Sequence, residues 1–315
     1  MSDKPLDGRV AIITGGGRGI GNAICRTLIS AGAAIVVADT GGTTDGQAED
    51  PDLADTIAES LGERAIGYGK SVASPEAAQE MVTLARETFG GIDILVNCAA
   101  ILRDALVFKG QPEDWDEVIS TNLSAAYYLI NAATPHMREQ FKASRGDGES
   151  YAWGRILNIG STAGLYGNFG QANYGSAKAG LMALMRISAM EMARSQVTAN
   201  LIAPFAHSRV SEMIIPANEE QAEYKARALK VSPHHVANLV LYLCSEKAAD
   251  VTGQIFGVRG REVYLFSQPR PLATISRTGA DWDVDSLAGA VEEQMRDHFT
   301  DLATDLESFN TDPVV

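Results

Sequence analysis

The sequence has few cysteines and no apolar run of the roughly 18 residues needed to cross a membrane. Its three cysteines, Cys25, Cys98 and Cys244, are too scattered to favour a disulfide framework or a zinc site. They are typical of the reducing cytoplasm, where we expect them to pack in the core. The first nine residues lack the apolar segment of a signal peptide. We therefore expect a cytoplasmic protein with no bound metal and no membrane partner.

Basic residues are also in short supply. The sequence has 26 Lys and Arg against 40 Asp and Glu, for a formal net charge of -14 at pH 7. Such a charge argues against nucleic acid and anionic membranes as partners, but a phosphorylated small molecule needs only a local patch of positive potential. Hydrophobic residues make up 45% of the 315 positions. That content can build a large core, and one α/β domain with an extension fits the length better than two domains.

Short apolar strands alternate with helical segments along most of the chain. The predicted strands are 10–13, 34–38, 65–69, 92–96, 155–159, 197–202 and 254–258. The predicted helices are 22–30, 52–61, 75–89, 113–141, a helix entered near 171, and 233–245. This alternation predicts a doubly wound, Rossmann-like α/β fold with a parallel sheet covered on both faces.

Two connections in this pattern have their own composition. Residues 142–153 are polar, and we expect a surface excursion on the side of the sheet away from ligands, which bind at strand C-termini. Residues 205–230 are weakly periodic and contain the apolar segment Met213–Pro216. They are expected to form either a mobile lid over a lipophilic substrate or an ordinary helical cover of the sheet edge.

A glycine-rich turn joins the first strand to the first helix. Gly15, Gly19 and Gly21 would let the backbone approach a pyrophosphate at the helix N-terminus, and this position makes the turn a strong sign of dinucleotide binding. Asp39 ends the second strand, near the spacing of about 20 residues expected for a carboxylate that holds the adenosine ribose. A carboxylate there repels a 2′-phosphate and favours NAD, whereas Arg18 in the turn would attract one. We give Asp39 the greater weight.

Tyr174 and Lys178 lie one helical turn apart, just after the predicted strand 155–159. A phenol with a pKa of about 10 is a poor base near neutral pH, but a neighbouring ammonium favours the phenolate. Ser161, at the strand end, is placed to hold a carbonyl or hydroxyl oxygen beside that phenol. This spacing alone also occurs in helices where the Tyr packs and the Lys is solvated. Asn122 lies inside a predicted helix, where an Asn is usually solvated or locally bonded.

A change in composition near residue 270 divides the chain. We predict a dinucleotide-binding catalytic domain over 1–268 and an acidic C-terminal extension over 269–315. Acidic residues predominate from Asp281 onward, yet apolar residues recur at helical spacing between Leu287 and Phe309. The pattern predicts an amphipathic helix that docks on its own chain or on a neighbouring subunit, or covers a lid.

The helix that holds Tyr174 carries more apolar residues than one sheet face can bury. They are Leu181, Met182, Leu184, Met185, Ile187 and Met190. The excess predicts a homo-oligomer, a dimer or tetramer, unless neighbouring helices of the same chain cover the whole surface.

Together these motifs resemble the short-chain dehydrogenase/reductase family over residues 8 to about 260. The matching motifs are Thr14-Gly-x-x-x-Gly-Ile-Gly21, Asp39, Asn97-Cys-Ala-Ala100, Asn122, Ser161, Tyr174-x-x-x-Lys178 and Asn200-x-Ile-Ala-Pro204. The resemblance implies that Tyr174 is the acid/base, and that Ser161 positions the reacting oxygen. It implies that Lys178 holds the nicotinamide ribose and lowers the pKa of Tyr174, and that Asn122 sustains a water-linked proton relay through Lys178. The cofactor-binding residues it implies are Gly15, Arg18, Gly19, Ile20, Gly21, Asp39, Ser71, Val72, Asn97, Ala99, Tyr174, Lys178, Pro204 and Ser208.

Residues 97–104, 165–174 and the pair Ser208-Arg209 are similar to one branch of this family. That branch contains the (3R)-hydroxyacyl-CoA dehydrogenase part of peroxisomal multifunctional enzyme type 2 and its bacterial relatives, some of which act on steroid side-chain thioesters. The similarity implies NAD-dependent interconversion of a secondary alcohol and a ketone, with a 3-hydroxyacyl-CoA as substrate. The alternatives are a free hydroxysteroid or other cyclic alcohol, a 3-oxoacyl-carrier-protein, or a silent dinucleotide-binding scaffold.

Three residues depart from the family pattern. Ala100 replaces the Gly of Asn-Asn-Ala-Gly, and Phe205 replaces the Gly of the Pro-Gly motif. Both departures are expected to affect the nicotinamide side and the shape of the substrate site. Ser71 stands where an Asp usually meets the adenine amino group, which would leave more of the cofactor specificity to Asp39.

Overall fold

A computed structural model of the chain describes residues 4–145, 151–207, 212 and 218–315. Its strands are β1 Val10–Thr14, β2 Ala34–Ala38, β3 Ala65–Tyr68, β4 Ile94–Asn97, β5 Arg155–Ile159, β6 Thr198–Phe205, β7 Ile255–Arg259 and β8 Glu262–Leu265. They form one eight-stranded sheet in the order β3-β2-β1-β4-β5-β6-β7-β8. All neighbours pair in parallel except β7 and β8. The predicted parallel α/β sheet is confirmed, and the antiparallel edge strand β8 is an addition to it.

The helices are α1 Gly19–Ser30, α2 Leu53–Leu61, α3 Pro75–Phe89, α4 Pro112–Ile119, α5 Ala125–Lys142, α6 Ala163–Tyr166, α7 Ala172–Met192, α8 Glu219–Ala228, α9 His234–Cys244, α10 Val284–Gln294 and α11 Asp305–Ser308. Helix α3 has the predicted bounds because its ends are marked in the sequence. The Ser74 hydroxyl accepts a hydrogen bond from the backbone N–H of Ala77 at 3.2 Å, and Gly90 ends the helix with a φ of 83°. Within the described ranges, no helix is long and apolar enough to span a membrane.

Apolar side chains cover both faces of the sheet. Helices α1 and α9 pack on one face through residues such as Leu28 and Val240. Helices α3, α5 and α7 pack on the other through Met81, Leu129 and Met185. Each such side chain, fully buried, contributes roughly 1.5–3 kcal/mol to stability. The sheet is thus the middle layer of a three-layer domain.

The strand order places a crevice at one edge of the central strands. The chain runs from β1 outward through β2 and β3, then returns to β4 on the opposite side of β1. In such sheets the connections diverge at the C-terminal ends of the strands, which leaves room for a ligand. The Thr14 hydroxyl accepts hydrogen bonds from the backbone N–H groups of Cys98 and Ala99, at 3.0 and 3.1 Å, and so joins the ends of β1 and β4.

The polar connection after α5 is anchored to the sheet at both of its described ends. Tyr151 and Trp153 are buried, unlike residues of a surface excursion. The Arg145 guanidinium donates to the Asp93 carboxylate at 2.8 Å, and the Tyr151 hydroxyl also donates to Asp93. Asp93 immediately precedes β4, so these contacts lie at the end of the sheet opposite the crevice. Residues 146–150 are outside the described ranges.

The C-terminal extension is not the single amphipathic helix that the apolar spacing predicts. Helix α10 has no buried residue, a 3-10 turn follows at Arg296–His298, and α11 has only four residues. Leu302, between these helices, is 94% exposed. Beyond α11 the chain returns to the sheet, where the Arg259 guanidinium donates to the carbonyls of Phe309 and Thr311 at 2.8 and 3.1 Å.

Candidate active site

The glycine-rich turn forms an open cradle at the start of α1. Gly19 has a φ of +53°, which favours glycine, and a Cβ added there would meet no atom within 4 Å. A Cβ at Gly21 would lie 2.0 Å from the Gly15 carbonyl oxygen, so this position cannot carry a side chain. The cradle therefore combines free space with the N–H groups and positive dipole of a helix N-terminus. These features fit the pyrophosphate of a dinucleotide cofactor.

Asp39 lies at the end of β2, facing this turn. One carboxylate oxygen accepts the backbone N–H of Gly17 at 2.9 Å and the other accepts that of Gly41 at 2.8 Å. A carboxylate has about four acceptor sites, so it retains capacity for ribose hydroxyls. Arg18 donates from Nη1 to Glu49, at 2.6 Å, and to the carbonyl oxygen of Gly42, at 3.3 Å. Asp39 and Arg18 are thus both fixed at the end of the crevice that holds the glycine turn.

Ser161, Tyr174 and Lys178 come together at the other end of the crevice. Ser161 follows β5, and its hydroxyl lies near enough to the Tyr174 phenol to lower the pKa of that phenol. The Lys178 Nζ donates to the Ile159 carbonyl at 2.8 Å and lies 5.5 Å from the centre of the Tyr174 ring. Tyr174 and Lys178 are both buried, because α7 packs its first two turns against the end of β5. The phenol, the hydroxyl and the amine therefore form one compact group.

Burial dominates the proton affinities in this group. It raises the pKa of Tyr174 to about 12, and the hydrogen bond with Ser161 opposes that shift. It lowers the pKa of Lys178 to about 8, against a smaller opposing effect of Cys98. The rise in the Tyr174 pKa is opposite in direction to that expected from the Tyr174–Lys178 spacing. The reason is that loss of solvation disfavours both the phenolate of Tyr174 and the ammonium of Lys178.

Asn122 lies in a π-helical turn, Ser120–Ser124, that interrupts the predicted helix 113–141 between α4 and α5. Its side-chain oxygen accepts the backbone N–H of Ile101 at 2.8 Å, and its amide donates to the Ile101 carbonyl at 2.9 Å. Asn122 is buried, so these bonds satisfy its amide in the interior. Turns of this kind are frequent at functional sites, and this one is held against the loop that leaves β4.

One cavity of about 1070 Å³ contains most of the predicted site residues. Those that line it are Gly15, Arg18, Gly19, Ile20, Gly21, Asp39, Ser71, Val72, Ala99, Ser161, Tyr174, Lys178 and Pro204. Two predicted residues, Asn97 and Asn122, are not among the described residues that line it. Asn97 donates from its side chain to Asn158 at 2.9 Å, beneath the cavity. Ser208 and Met213–Pro216 lie outside the described residues.

The C-terminal extension contributes a wall of the same cavity. Asp305, Phe309, Thr311 and Pro313 line it together with Tyr224 and Arg227 of helix α8. The Asp305 carboxylate accepts hydrogen bonds from the hydroxyls of Thr162 and Tyr224, at 2.8 and 2.9 Å. The extension therefore reaches the residue that directly follows Ser161.

An aromatic cluster holds this wall in place. The Phe309 ring lies 4.6 Å from that of Phe205 and 5.3 Å from that of Tyr264, with Tyr166 and Phe266 farther out. Phe205, the departure from the Pro-Gly motif, is thus the side chain on which the extension packs. Sequence reasoning missed this wall and the loop Thr40–Ala48, which also lines the cavity. The aromatic residue at position 205 was the available signal for the wall that the extension forms.

No group of three or more His, Cys, Asp or Glu side chains in the described part of the chain could hold a metal ion.

The sequence matches a family model described as short chain dehydrogenase over residues 9–222. It is 35% identical to the hydroxyacyl-CoA dehydrogenase ChsB1 of Mycobacterium tuberculosis, over 93% of this chain and 89% of that protein. It is 36% identical to peroxisomal multifunctional enzyme type 2 of Mus musculus, over 86% of this chain and 34% of that longer protein. It is 35% identical to the 3-oxoacyl-[acyl-carrier-protein] reductase FabG of Aquifex aeolicus, over 81% of this chain and 97% of that protein.

A solved structure has a similar fold. The crystal structure of a short chain dehydrogenase from Mycobacterium avium superposes with a TM-score of 0.76 at 34% sequence identity, and the match covers 92% of this chain and 95% of that one.

Proposed function

The chain belongs to the short-chain dehydrogenase family, and from this premise we propose that it uses NAD to interconvert a 3-hydroxyacyl-CoA and its 3-oxo form. As a member of the family it is an oxidoreductase that acts on a CH–OH group with NAD or NADP. The observation that carries the proposal is the single cavity in which the glycine cradle and Asp39 adjoin Ser161, Tyr174 and Lys178.

In this proposal the chain's own residues move one proton and fix one oxygen. A bound oxidised nicotinamide would supply the hydride acceptor and a positive charge near the phenol. The Ser161 hydroxyl holds the substrate oxygen, and Tyr174 accepts the hydroxyl proton as the carbonyl forms. Burial raises the pKa of Tyr174 to about 12, and a positive charge near the phenol would favour the phenolate. Lys178 binds the ribose and, with Asn122, passes the proton onward.

Three observations support the assignment of NAD and of an acyl-CoA substrate. Asp39 faces the cradle and would lie against a 2′-phosphate, which favours NAD. One of the relatives named above, ChsB1, is a hydroxyacyl-CoA dehydrogenase, and its alignment covers 93% of this chain. The cavity has aromatic and apolar surface beside Tyr174 that suits a bulky acyl group. A second candidate, reduction of a 3-oxoacyl-carrier-protein, is favoured by the match to nearly the full length of FabG.

A turnover screen tests the proposal. The panel contains (3R)- and (3S)-3-hydroxyacyl-CoA thioesters of increasing bulk, the same acyl groups on carrier protein, and free cyclic alcohols, each with NAD and with NADP. We expect the highest kcat/KM for an acyl-CoA with NAD. Tyr174→Phe should reduce kcat by about 10²–10⁴-fold while NAD still binds, because the phenol transfers the proton and adds little cofactor affinity. Preference for carrier-protein thioesters or for free alcohols would refute the substrate class.

A further inference from the structure

Glu49 lies beside the one basic side chain of the glycine turn. Arg18 precedes α1 and faces the adenosine end of the cavity, where a guanidinium could bind the 2′-phosphate of NADP. Its Nη1 instead donates to the Glu49 carboxylate at 2.6 Å. Because this pair is partly exposed, it adds little to stability. The Arg18–Glu49 pair nevertheless lies next to the glycine turn, where a cofactor would bind.

The loop that carries Glu49 is fixed at several points. After Asp39, the chain closes on itself through a hydrogen bond from the Asp50 N–H to the Gly41 carbonyl at 3.1 Å. The backbone N–H of Leu102 donates to the Thr44 carbonyl at 2.9 Å, which ties the middle of the loop to the segment after β4. Glu49 is thus presented to Arg18 by an ordered segment that itself lines the cavity.

We propose that Glu49 is a second determinant of cofactor choice, because it occupies the guanidinium that would otherwise receive a 2′-phosphate. NADP would have to separate the pair and place its phosphate between two carboxylates, those of Asp39 and Glu49. Both steps act against NADP and leave NAD unaffected. The inference deepens the proposed function, since it rests on the assignment of NAD as cofactor.

The test is direct binding of NAD and NADP to the full-length protein, by titration calorimetry without acyl substrate. Glu49→Gln keeps the side-chain size and removes the charge, so Arg18 becomes free to bind phosphate. We expect the NADP/NAD affinity ratio to rise by about tenfold, the order of one hydrogen bond to a charged group. The double variant Arg18→Gln, Glu49→Gln should lose this gain. Glu59→Gln, on the exposed face of α2, is the matched control and should leave the ratio unchanged.

The outcomes separate this inference from the proposed function. An unchanged ratio in Glu49→Gln, with a wild type that prefers NAD, overturns the role of Glu49 alone. A gain that persists in the double variant also overturns it, because the phosphate would not be binding Arg18. A wild type that prefers NADP refutes the NAD assignment, and with it the premise on which the role of Glu49 rests.

Discussion

The carboxylate of Asp305 accepts a hydrogen bond from the hydroxyl of Thr162 at 2.8 Å, although the two residues are 143 positions apart. Thr162 directly follows Ser161, so this bond connects the C-terminal extension to the loop that carries a proposed catalytic hydroxyl. The same carboxylate accepts the Tyr224 hydroxyl of α8, and it contributes to a raised pKa of that phenol together with burial. Asp305 therefore links three segments around the half of the cavity that we propose for the substrate.

Replacing Asp305 with Ala should leave the hydroxyls of Thr162 and Tyr224 without their acceptor. Each lost hydrogen bond to a charged group costs about 1.5–3 kcal/mol, so the free energy of unfolding should fall measurably in urea titrations. We expect KM for the acyl substrate to rise more than kcat falls, with NAD affinity retained, because the change affects only the substrate wall. Asp297→Ala, an exposed carboxylate of the same extension, is the control. Equal effects of the two variants would contradict this role.

Phe309 should limit the size of the acyl group. Phe309→Ala removes the ring that packs on Phe205 and Tyr264 and widens the cavity at that wall. We expect the ratio of kcat/KM for bulky over short acyl substrates to rise, with a stability loss of about 2–3 kcal/mol because Phe309 is only partly buried. Phe299→Ala is the matched control, since that ring is 57% exposed in the same extension. An unchanged substrate ratio would rule out Phe309 as a wall of the acyl site.

The elements that the sequence predicts well are those with local causes. Strand β2 has the predicted bounds because a continuous run of apolar residues, several of them β-branched, forms a buried parallel strand. Helix α3 follows from Ser74 at its start and Gly90 at its end. The glycine turn and the spacing of Tyr174 and Lys178 are likewise local patterns, and these side chains line the same cavity.

What the sequence did not indicate depends on contacts distant along the chain. The π-helical turn around Asn122 has no residue pattern of its own, so the sequence predicts one continuous helix there. Strand β8 is a short edge strand, and its pairing with β7 decides its existence. The position of the extension rests on Arg259 and Phe309, which meet only after folding. The direction of the Tyr174 pKa shift also required a burial that spacing cannot reveal.

Helix α7 retains an apolar surface that predicts self-association. Leu181 and Met185 are buried within the chain, whereas Ile187 and Met190 are 51% and 73% exposed. A charge at Met185 would therefore damage the core, and the informative variant is Ile187→Glu, Met190→Glu. We expect light scattering at low micromolar concentration to give a multiple of 33.5 kDa for the wild type and a smaller mass for the variant.

A glutamate introduced on the exposed C-terminal extension is the control for the light-scattering experiment. Leu302→Glu replaces a side chain that is 94% exposed, and it should leave the mass unchanged. A wild-type mass of one chain would refute the oligomer, and an unchanged mass in the helix variant would place the contact elsewhere.

Lys178 should make the stability of the protein depend on pH above neutrality. Burial lowers its pKa from 10.5 to about 8 in the folded chain, whereas the unfolded chain keeps the higher value. Between these values the unfolded state binds more protons, so the free energy of unfolding attributable to Lys178 rises with pH from about 8 to 10.5. Below pH 8 the buried ammonium imposes its full cost. The pKa of Tyr174 is raised from 10.0 to about 12, so its contribution to the free energy of unfolding falls with rising pH, and does so only above pH 10.

Lys178→Met removes the titrating group and keeps the length of the side chain. The free energy of unfolding of the wild type should rise by about 2–3 kcal/mol between pH 7 and pH 10, because the buried ammonium of Lys178 loses its proton. The free energy of unfolding of Lys178→Met should lack this rise. The lost hydrogen bond to the Ile159 carbonyl shifts the difference between variant and wild type by a constant and leaves the slope intact. Chemical denaturation at several pH values measures it, with the exposed Lys247→Met as control. Parallel stability curves for Lys178→Met and wild type would show that Lys178 does not titrate near pH 8, because only a group with different folded and unfolded pKa values gives a slope.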